Sequence, residues 1–334
     1  MSNNKKIINN FQLLIEIENA KDKTNHFRIR SYQKVLKILQ GAKQNLLKLN
    51  EDELTKFFQA NGIKNPVKTI DKINQIKTDG KVKGLDGDME KVKAIKEFTS
   101  IYAVGIQKAK ELFNTHQLKT IKQLKKKLKE DNTILNDKQK IGLKYHKDLL
   151  TRIPRDEIVT FDQFIAKILK PYGKDIEFSI AGSYRRGAKN SGDIDLLITS
   201  SDKLKKNEAM NLIIDEMKKH KILYEVLAKG RKKFMGIVKI DGGPARHLDI
   251  VETTRENYPF ALLYFTGSGP FNVRMRKIAL DKGYSINEYS MTYKKTKKII
   301  ESDEIQKKIG KPNFITEQDI FKFLDMEYKL PTER

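Results

Sequence analysis

The residues of this chain best suited to chemistry are two carboxylates two positions apart, a glycine-serine turn upstream of them and a third aspartate inside a later apolar segment. The first group lies in Gly182-Ser183-Tyr184-Arg185-Arg186-Gly187-Ala188-Lys189-Asn190-Ser191-Gly192-Asp193-Ile194-Asp195-Leu196-Leu197-Ile198. Side chains alternate along a strand, so Asp193 and Asp195 would share one face while Ile194 and Leu196 take the other. Adjacent carboxylates repel and need cations, and Mg²⁺ is the natural hard ion for an all-carboxylate site. Asp249 falls within His247-Leu248-Asp249-Ile250-Val251, where an unpaired charge is costly to bury. Were the two strands neighbours, Asp249 would complete a site for two metals roughly 3.5–4 Å apart, which activates one oxygen and stabilises the leaving one in phosphoryl transfer. Gly182, Ser183, Arg186 and Gly192 offer backbone N–H groups, a hydroxyl and a guanidinium suited to a triphosphate. An Asp-x-Asp pair alone also occurs at solvated strand ends. Its union with Gly-Ser and a third strand aspartate is what points to nucleotidyl transfer.

These side chains need a rigid frame. Short β-branched segments bounded by Gly, Ser or Asp, at 178–181, 194–198, 236–240 and 247–251, read as strands, with helical patterns at 161–169 and 208–220 between them. Before Arg152-Ile153-Pro154-Arg155 the pattern is helical, because apolar residues recur three and four apart, as in Phe11, Leu14, Ile15 and Val35, Leu36, Leu39. A Gly-rich turn at Lys83-Gly84-Leu85-Asp86-Gly87 divides this half, and the lysine run 125–127 reads as a solvated helix face. The expected architecture is all-α domains followed by an α+β catalytic domain.

The chain has 334 residues, with 67 Lys+Arg against 43 Asp+Glu, a formal charge of +24, and no Cys. Two or more packed units are expected at this length. Disulfide scaffolds, cysteine zinc sites and thiol catalysis are excluded. The charge excess calls for a polyanionic partner, yet by itself leaves acidic small molecules, anionic membranes and nucleic acid open. Asn and Lys interrupt the apolar residues of the first segment, and no stretch approaches the ~20 apolar residues of a membrane span, so a soluble intracellular protein without membrane association is expected.

The sequence resembles the family X DNA polymerases, most closely their beta type. The resemblance rests on GSYRRGAKNSGDIDLL, then KGRKKFMGIVKI, YFTGS, FNVRMR and INEYS in the family's order, preceded by KIGLKYHKDLLTRIPRDEI. It is strong from about Phe98 onward and collinear before that. It implies that Asp193, Asp195 and Asp249 bind two Mg²⁺ ions, with Mn²⁺ able to substitute, and that Gly182, Ser183, Arg186 and Gly192 hold the dNTP triphosphate. Tyr264-Phe265-Thr266-Gly267-Ser268, which otherwise reads as a strand ending in a turn, becomes the wall of the sugar pocket. Asn272 and Arg276 lie four apart on one helix face and suit the minor-groove acceptors shared by all base pairs. Arg276 and His247 are implied to face template and primer. Ala103-Val104-Gly105-Ile106-Gln107-Lys108-Ala109 looks like a helix-hairpin-helix turn, in which Ala103 and Gly105 meet a backbone phosphate and carbonyls hold a monovalent cation.

The N-terminal unit is similar to the family's 8-kDa domain, which removes a 5′-deoxyribose phosphate through a lysine Schiff base. The match puts Lys72 at the nucleophile position, with Lys68, Arg28 and Tyr32 at the 5′-phosphate. Four positions depart from the family. The first hairpin, Gly62-Ile63-Lys64-Asn65-Pro66, lacks Gly-x-Gly, His247 replaces an arginine that steadies the third aspartate, Gly269-Pro270 removes an aspartate facing the incoming base, and Val251 removes a switch arginine. Reduced fidelity relative to the vertebrate beta enzyme is expected. The resulting expectation is four parts: a helical 5′-phosphate-binding domain over 1–88, a hairpin subdomain over 89–150, a nucleotidyltransferase palm over 151–261 and a nascent-base-pair-binding subdomain over 262–334. Together they would form a monomeric, template-directed gap-filling repair polymerase acting on gapped or nicked DNA, with an added lyase activity, in a nucleus or, if viral, a viral factory or virion. The alternatives are a template-independent terminal transferase and a catalytically inactive DNA-binding scaffold.

Overall fold

A computed structural model describes residues 4–83, 89–201 and 208–334, so the Gly84–Gly87 turn and the expected boundary after 88 lie outside the described residues. The chain forms two compact units, Met1–Lys144 and Tyr145–Arg334. The division falls before Tyr145 rather than after Leu150 because residues 145–150 are bound to the sheet of the second unit. Tyr145 donates its hydroxyl to Glu225 at 3.0 Å, and the Asp148 carboxylate accepts from the Ala245 N–H at 2.9 Å.

The first unit is helical throughout its described elements, including Lys5–Ala20, His26–Gly41, Val67–Asp79, Met89–Thr99 and Ile106–Asn114. The two helical domains expected from the sequence share one core, in which Phe11, Phe58 and Ile73 join Phe98, Leu112 and Leu124. Fully burying side chains of this size stabilises by roughly 1.5–3 kcal/mol each. Polar contacts reinforce the union: Lys91 pairs with Asp22 at 2.6 Å, and buried Lys110 donates to Thr24 Oγ1 at 2.7 Å. Burial, the largest effect, pushes the Lys110 ammonium below its ordinary pKa. Of the lysine run, Lys125 and Lys126 are exposed around buried Leu124, as a solvated face requires.

The second unit is built on a five-stranded sheet: β1 Ile176–Ile180, β2 Ile194–Ser200, β3 Leu223–Lys229, β4 Lys233–Lys239 and β5 Ala245–Thr253. The spatial order is β1-β2-β5-β4-β3, and only the β2–β5 pair is parallel. Strand alternation sends Arg246, Leu248 and Ile250 of β5 into the interior and leaves His247, Asp249 and Val251 on the other face. The helices Arg155–Leu169 and Glu208–Lys219 cover the interior face with Phe161, Ile165, Ile213 and Met217. Buried Arg246 is satisfied there by Glu157, through two contacts of 2.7 Å, and by the Thr151 carbonyl at 3.0 Å. Strand β3 was not foreseen, because it is a sheet edge with Tyr224 and Val226 exposed and its apolar pattern is diluted.

The C-terminal part adds the helices Tyr258–Thr266 and Gly269–Asp281, a short hairpin (Tyr284–Ile286 with Met291–Tyr293) and a core of its own around Phe271, Met275, Phe321 and Phe323. One expectation is corrected here. Tyr264–Thr266 is the last turn of a helix, not a strand, since a short run apolar on every side cannot be told from a buried strand by periodicity.

Candidate active site

The parallel register of β2 and β5 sets Asp195 directly beside Asp249. Asp193 lies in a bend one residue before β2 begins at Ile194, so strand alternation does not govern its direction as the sequence suggested. Burial, reinforced by the negative charges of Asp193 and Asp249, pushes the Asp195 carboxyl up to about 7, while Lys233 and Arg186 pull it down. The Lys233 ammonium sits 3.1 Å from Asp249 Oδ2. Asp249 Oδ1 is buried without a hydrogen-bond partner, and His247 Nδ1 stands 3.7 Å from it. Burial pushes the His247 imidazole below its ordinary pKa against the opposing pull of Asp249, so at neutral pH it is a poor stand-in for a permanent arginine charge.

Among the described residues no group of three or more Asp, Glu or His side chains closes to metal-holding distance, with Lys233 resting on Asp249. The donor set nevertheless suits hard divalent cations. It consists of carboxylate oxygens, one of them buried and unpaired, around an acid whose charge its neighbours oppose.

Beside the carboxylates opens a cleft of about 640 Å³, lined on one side by Gly182, Ser183, Arg186, Gly192, Asp193 and Asp195 and on the other by Tyr264, Phe265, Gly267, Asn272 and Arg276. Gly182 has φ +56°, and a Cβ there would stand 2.3 Å from Asp195 Oδ2, so the turn and the carboxylate are fitted to each other. Ser183 Oγ donates to Ser191 Oγ at 2.8 Å, and Arg186 Nη1 donates to the Thr266 carbonyl at 2.5 Å. Asn272 Nδ2 donates to the Tyr264 carbonyl at 2.8 Å, and the Arg276 guanidinium lies 5.2 Å from the Tyr264 ring centre. All the residues expected to hold the dNTP thus meet in one place. Two cleft neighbours were missed from the sequence, Lys233 and Arg152. The pairing of β4 with β5, which sets Lys233 opposite Val251, is the signal that would have found the lysine.

The first unit carries two further candidates, each within that unit alone. Arg28, Tyr32, Lys68 and Lys72 line a basic cavity of about 570 Å³. Lys72 Nζ lies 6.0 Å from the Tyr32 ring centre and donates to the Lys68 carbonyl at 3.4 Å, while Arg28 pairs with Glu18 at 3.3 Å. Burial pushes the Tyr32 phenol up. In the altered first hairpin Gly62 has φ +84°, and the Lys34 ammonium donates to its carbonyl at 2.6 Å. In the second hairpin Gly105 caps the Ile106–Asn114 helix with extended backbone, and a Cβ there would meet nothing within 4 Å. Ala103 adopts φ +64°, and Gln139 Nε2 donates to its carbonyl at 3.2 Å.

Comparison with known proteins agrees with this arrangement. Residues 96–150 match the model of the fingers domain of DNA polymerase lambda, 152–255 that of the DNA polymerase beta palm and 261–334 that of the DNA polymerase beta thumb. DNA polymerase lambda of Rattus norvegicus is 28% identical over 276 residues, covering 79% of this chain and 46% of the relative. DNA polymerase lambda of Arabidopsis thaliana is 28% identical over 280 residues, with 79% and 51% covered. DNA nucleotidylexotransferase of Xenopus laevis is 28% identical over 284 residues, with 73% and 52% covered. The chain spans about half the length of these curated relatives. With consecutive polymerase palm, thumb and fingers models matched along one chain, the chain belongs to the family X DNA polymerases.

Proposed function

We propose that this protein is a template-directed, gap-filling DNA polymerase that adds a dNTP to a primer 3′-hydroxyl with two divalent cations. The observation that carries the reading is the single cleft joining Gly182, Ser183 and Arg186 to Asp193, Asp195 and the Tyr264–Gly267 wall, with Asp249 beside Asp195 in the sheet. Asp193, Asp195 and Asp249 would hold the cations, which when bound acidify the primer hydroxyl and neutralise the leaving pyrophosphate. The primer 3′-oxygen forms a bond to the α-phosphorus as the bond to the pyrophosphate oxygen breaks, and Asp249 or a neighbour receives the hydroxyl proton. Ser183, Arg186 and backbone N–H groups of the Gly182 turn orient the triphosphate. Asp249→Ala should lower primer extension on one-nucleotide-gapped, 5′-phosphorylated DNA by roughly 10³-fold or more, since several kcal/mol of transition-state stabilisation are lost. Extension surviving the substitution would remove the three-carboxylate mechanism.

Templated synthesis is favoured over template-independent transfer, the activity named for the nucleotidylexotransferase relative. Only Ile240–Pro244 connects β4 to β5, which leaves no long loop ahead of the third aspartate. Extension of single-stranded primers at rates matching gapped DNA would reverse this choice. Fidelity is set low by the loss of side chains at Gly269 and Val251 and by His247 beside Asp249. Single-nucleotide kinetics should show weaker discrimination against mispairs than vertebrate enzymes of the beta type.

A second activity rests on the basic cavity of the first unit. The Lys72 amine adds to C1′ of a 5′-deoxyribose phosphate, water leaves and an imine forms. Loss of a C2′ proton then breaks the C3′–O bond and leaves a 5′-phosphate on the DNA, and hydrolysis of the remaining imine releases the unsaturated sugar phosphate and the Lys72 amine. Lys68, Arg28 and Tyr32 line the same cavity and would hold that phosphate. Borohydride should trap a covalent adduct with wild type, and Lys72→Ala should lose it almost completely. An undiminished adduct assigns the chemistry to another lysine.

A further inference from the structure

We propose that Lys233 is the tethered counter-ion of the third carboxylate, a positioning residue that holds Asp249 in the metal-free protein and yields it to a divalent cation. The inference rests on the reading of Asp193, Asp195 and Asp249 as a divalent-cation site. A carboxylate set into a sheet and largely withdrawn from water needs a cationic partner. The Asp249 side chain is 19% exposed, and Lys233 Nζ at 3.1 Å is within hydrogen-bonding reach of Oδ2. On its own strand face the neighbours of Asp249 are His247, whose Nδ1 at 3.7 Å is beyond that reach, and Val251, which carries no charge. The antiparallel register places Lys233 directly across from Val251. The adjacent strand thus delivers an ammonium to the spot where β5 has only an isopropyl group.

The pair is also built to be broken. The Lys233 side chain is 50% exposed, and ion pairs with a solvated partner are weak. A divalent ion shared with Asp195, which stands beside Asp249 in the parallel register, would outcompete a single ammonium. Lys233 therefore keeps a buried charge compensated before loading, at the cost of metal affinity.

Mn²⁺ titration of the full chain without DNA or nucleotide tests this, read by the electron-spin signal of free Mn²⁺ and by thermal melting. Lys233→Met should melt at lower temperature than wild type without metal, yet bind Mn²⁺ about fivefold tighter at low salt. The gap should narrow as ionic strength rises. Lys233→Arg should restore wild-type behaviour. A lysine with a merely structural role would lower the melting temperature equally with and without Mn²⁺, and that outcome, or unchanged or weaker Mn²⁺ binding by the folded variant, overturns the proposal. Lys233→Gln carries the same comparison if the Met variant does not fold. Asp249→Ala separates the two readings. Mn²⁺ binding that ignores Asp249 defeats the metal site and the counter-ion together, whereas Asp249-dependent binding unaltered by Lys233→Met defeats the counter-ion alone.

Discussion

Asp195→Asn should abolish gap filling and at the same time make the protein more stable above neutral pH. Burial and the flanking charges of Asp193 and Asp249 hold the Asp195 carboxyl near 7 in the folded chain, against an ordinary value of 3.8. Between those values the folded state binds more protons than the unfolded state, so stability falls as pH rises through the window and the full penalty remains above it. At 1.36 kcal/mol per unit, the penalty is on the order of 4 kcal/mol, and relaxation of the site reduces it. Asparagine keeps the shape and removes the charge. Without divalent ions, Asp195→Asn should therefore melt several degrees above wild type at pH 8 and match it near pH 4. Mg²⁺ should stabilise wild type far more than the variant, because a cation relieves the repulsion that asparagine has already removed. Gap-filling rates should meanwhile fall by roughly 10³-fold or more. Melting curves across pH, with and without Mg²⁺, check the first part. A wild type and variant with parallel pH profiles would mean that Asp195 ionises without penalty, and that the charge cluster has been misread.

Gly182→Ala should disable the proposed gap filling through a single methyl group. Two costs add. Alanine at φ +56° costs roughly 1–2 kcal/mol, and its Cβ would stand 2.3 Å from Asp195 Oδ2, a distance no real contact sustains. Either the turn or the carboxylate must move. A misplacement of about 1 Å in a group that positions reactants costs on the order of 10²-fold in rate. The expected result is a drop of that size in the gap-filling rate with a stability loss of roughly 1–3 kcal/mol. Gly192→Ala is the informative contrast, because a Cβ there meets only Arg152 Nη1 at 3.1 Å, so relief costs a shift of a guanidinium held by Asn190 at 2.7 and 2.8 Å and leaves the carboxylates in place. If Gly182→Ala retains full activity, Asp195 does not need the geometry that the turn imposes.

Much of the site was legible because its chemistry is written in a contiguous segment. Gly182, Ser183, Arg186, Gly192, Asp193 and Asp195 fall within a short stretch, and a turn followed by a strand is enough to bring them together. Errors came where identity depends on what surrounds a segment. The Tyr258–Thr266 helix is mostly apolar around its circumference, so periodicity cannot separate its last turn from a strand, and β3 is hidden by its exposed edge. The shared core of the helical half was likewise not legible, because Phe11 and Phe98 have no packing preference that local sequence could reveal.

The amino-acid order determines the reagents: three aspartates, a glycine-serine turn suited to a triphosphate, a lysine-rich helical half and an excess of positive charge suited to a polyanion. Pairing and register were decided only in three dimensions. Asp249 becomes the neighbour of Asp195 because β2 and β5 are parallel and in step, though the two residues are far apart along the chain. Lys233 becomes the partner of Asp249 because β4 and β5 are antiparallel with Lys233 opposite Val251, and a one-residue slip would send it to the other face. Local sequence specifies which side chain alternates to which face. Which strands lie side by side is selected by the apolar face they bury in common, against Phe161, Ile165, Ile213 and Met217. That choice converts a costly cluster of like charges into a candidate site for divalent cations.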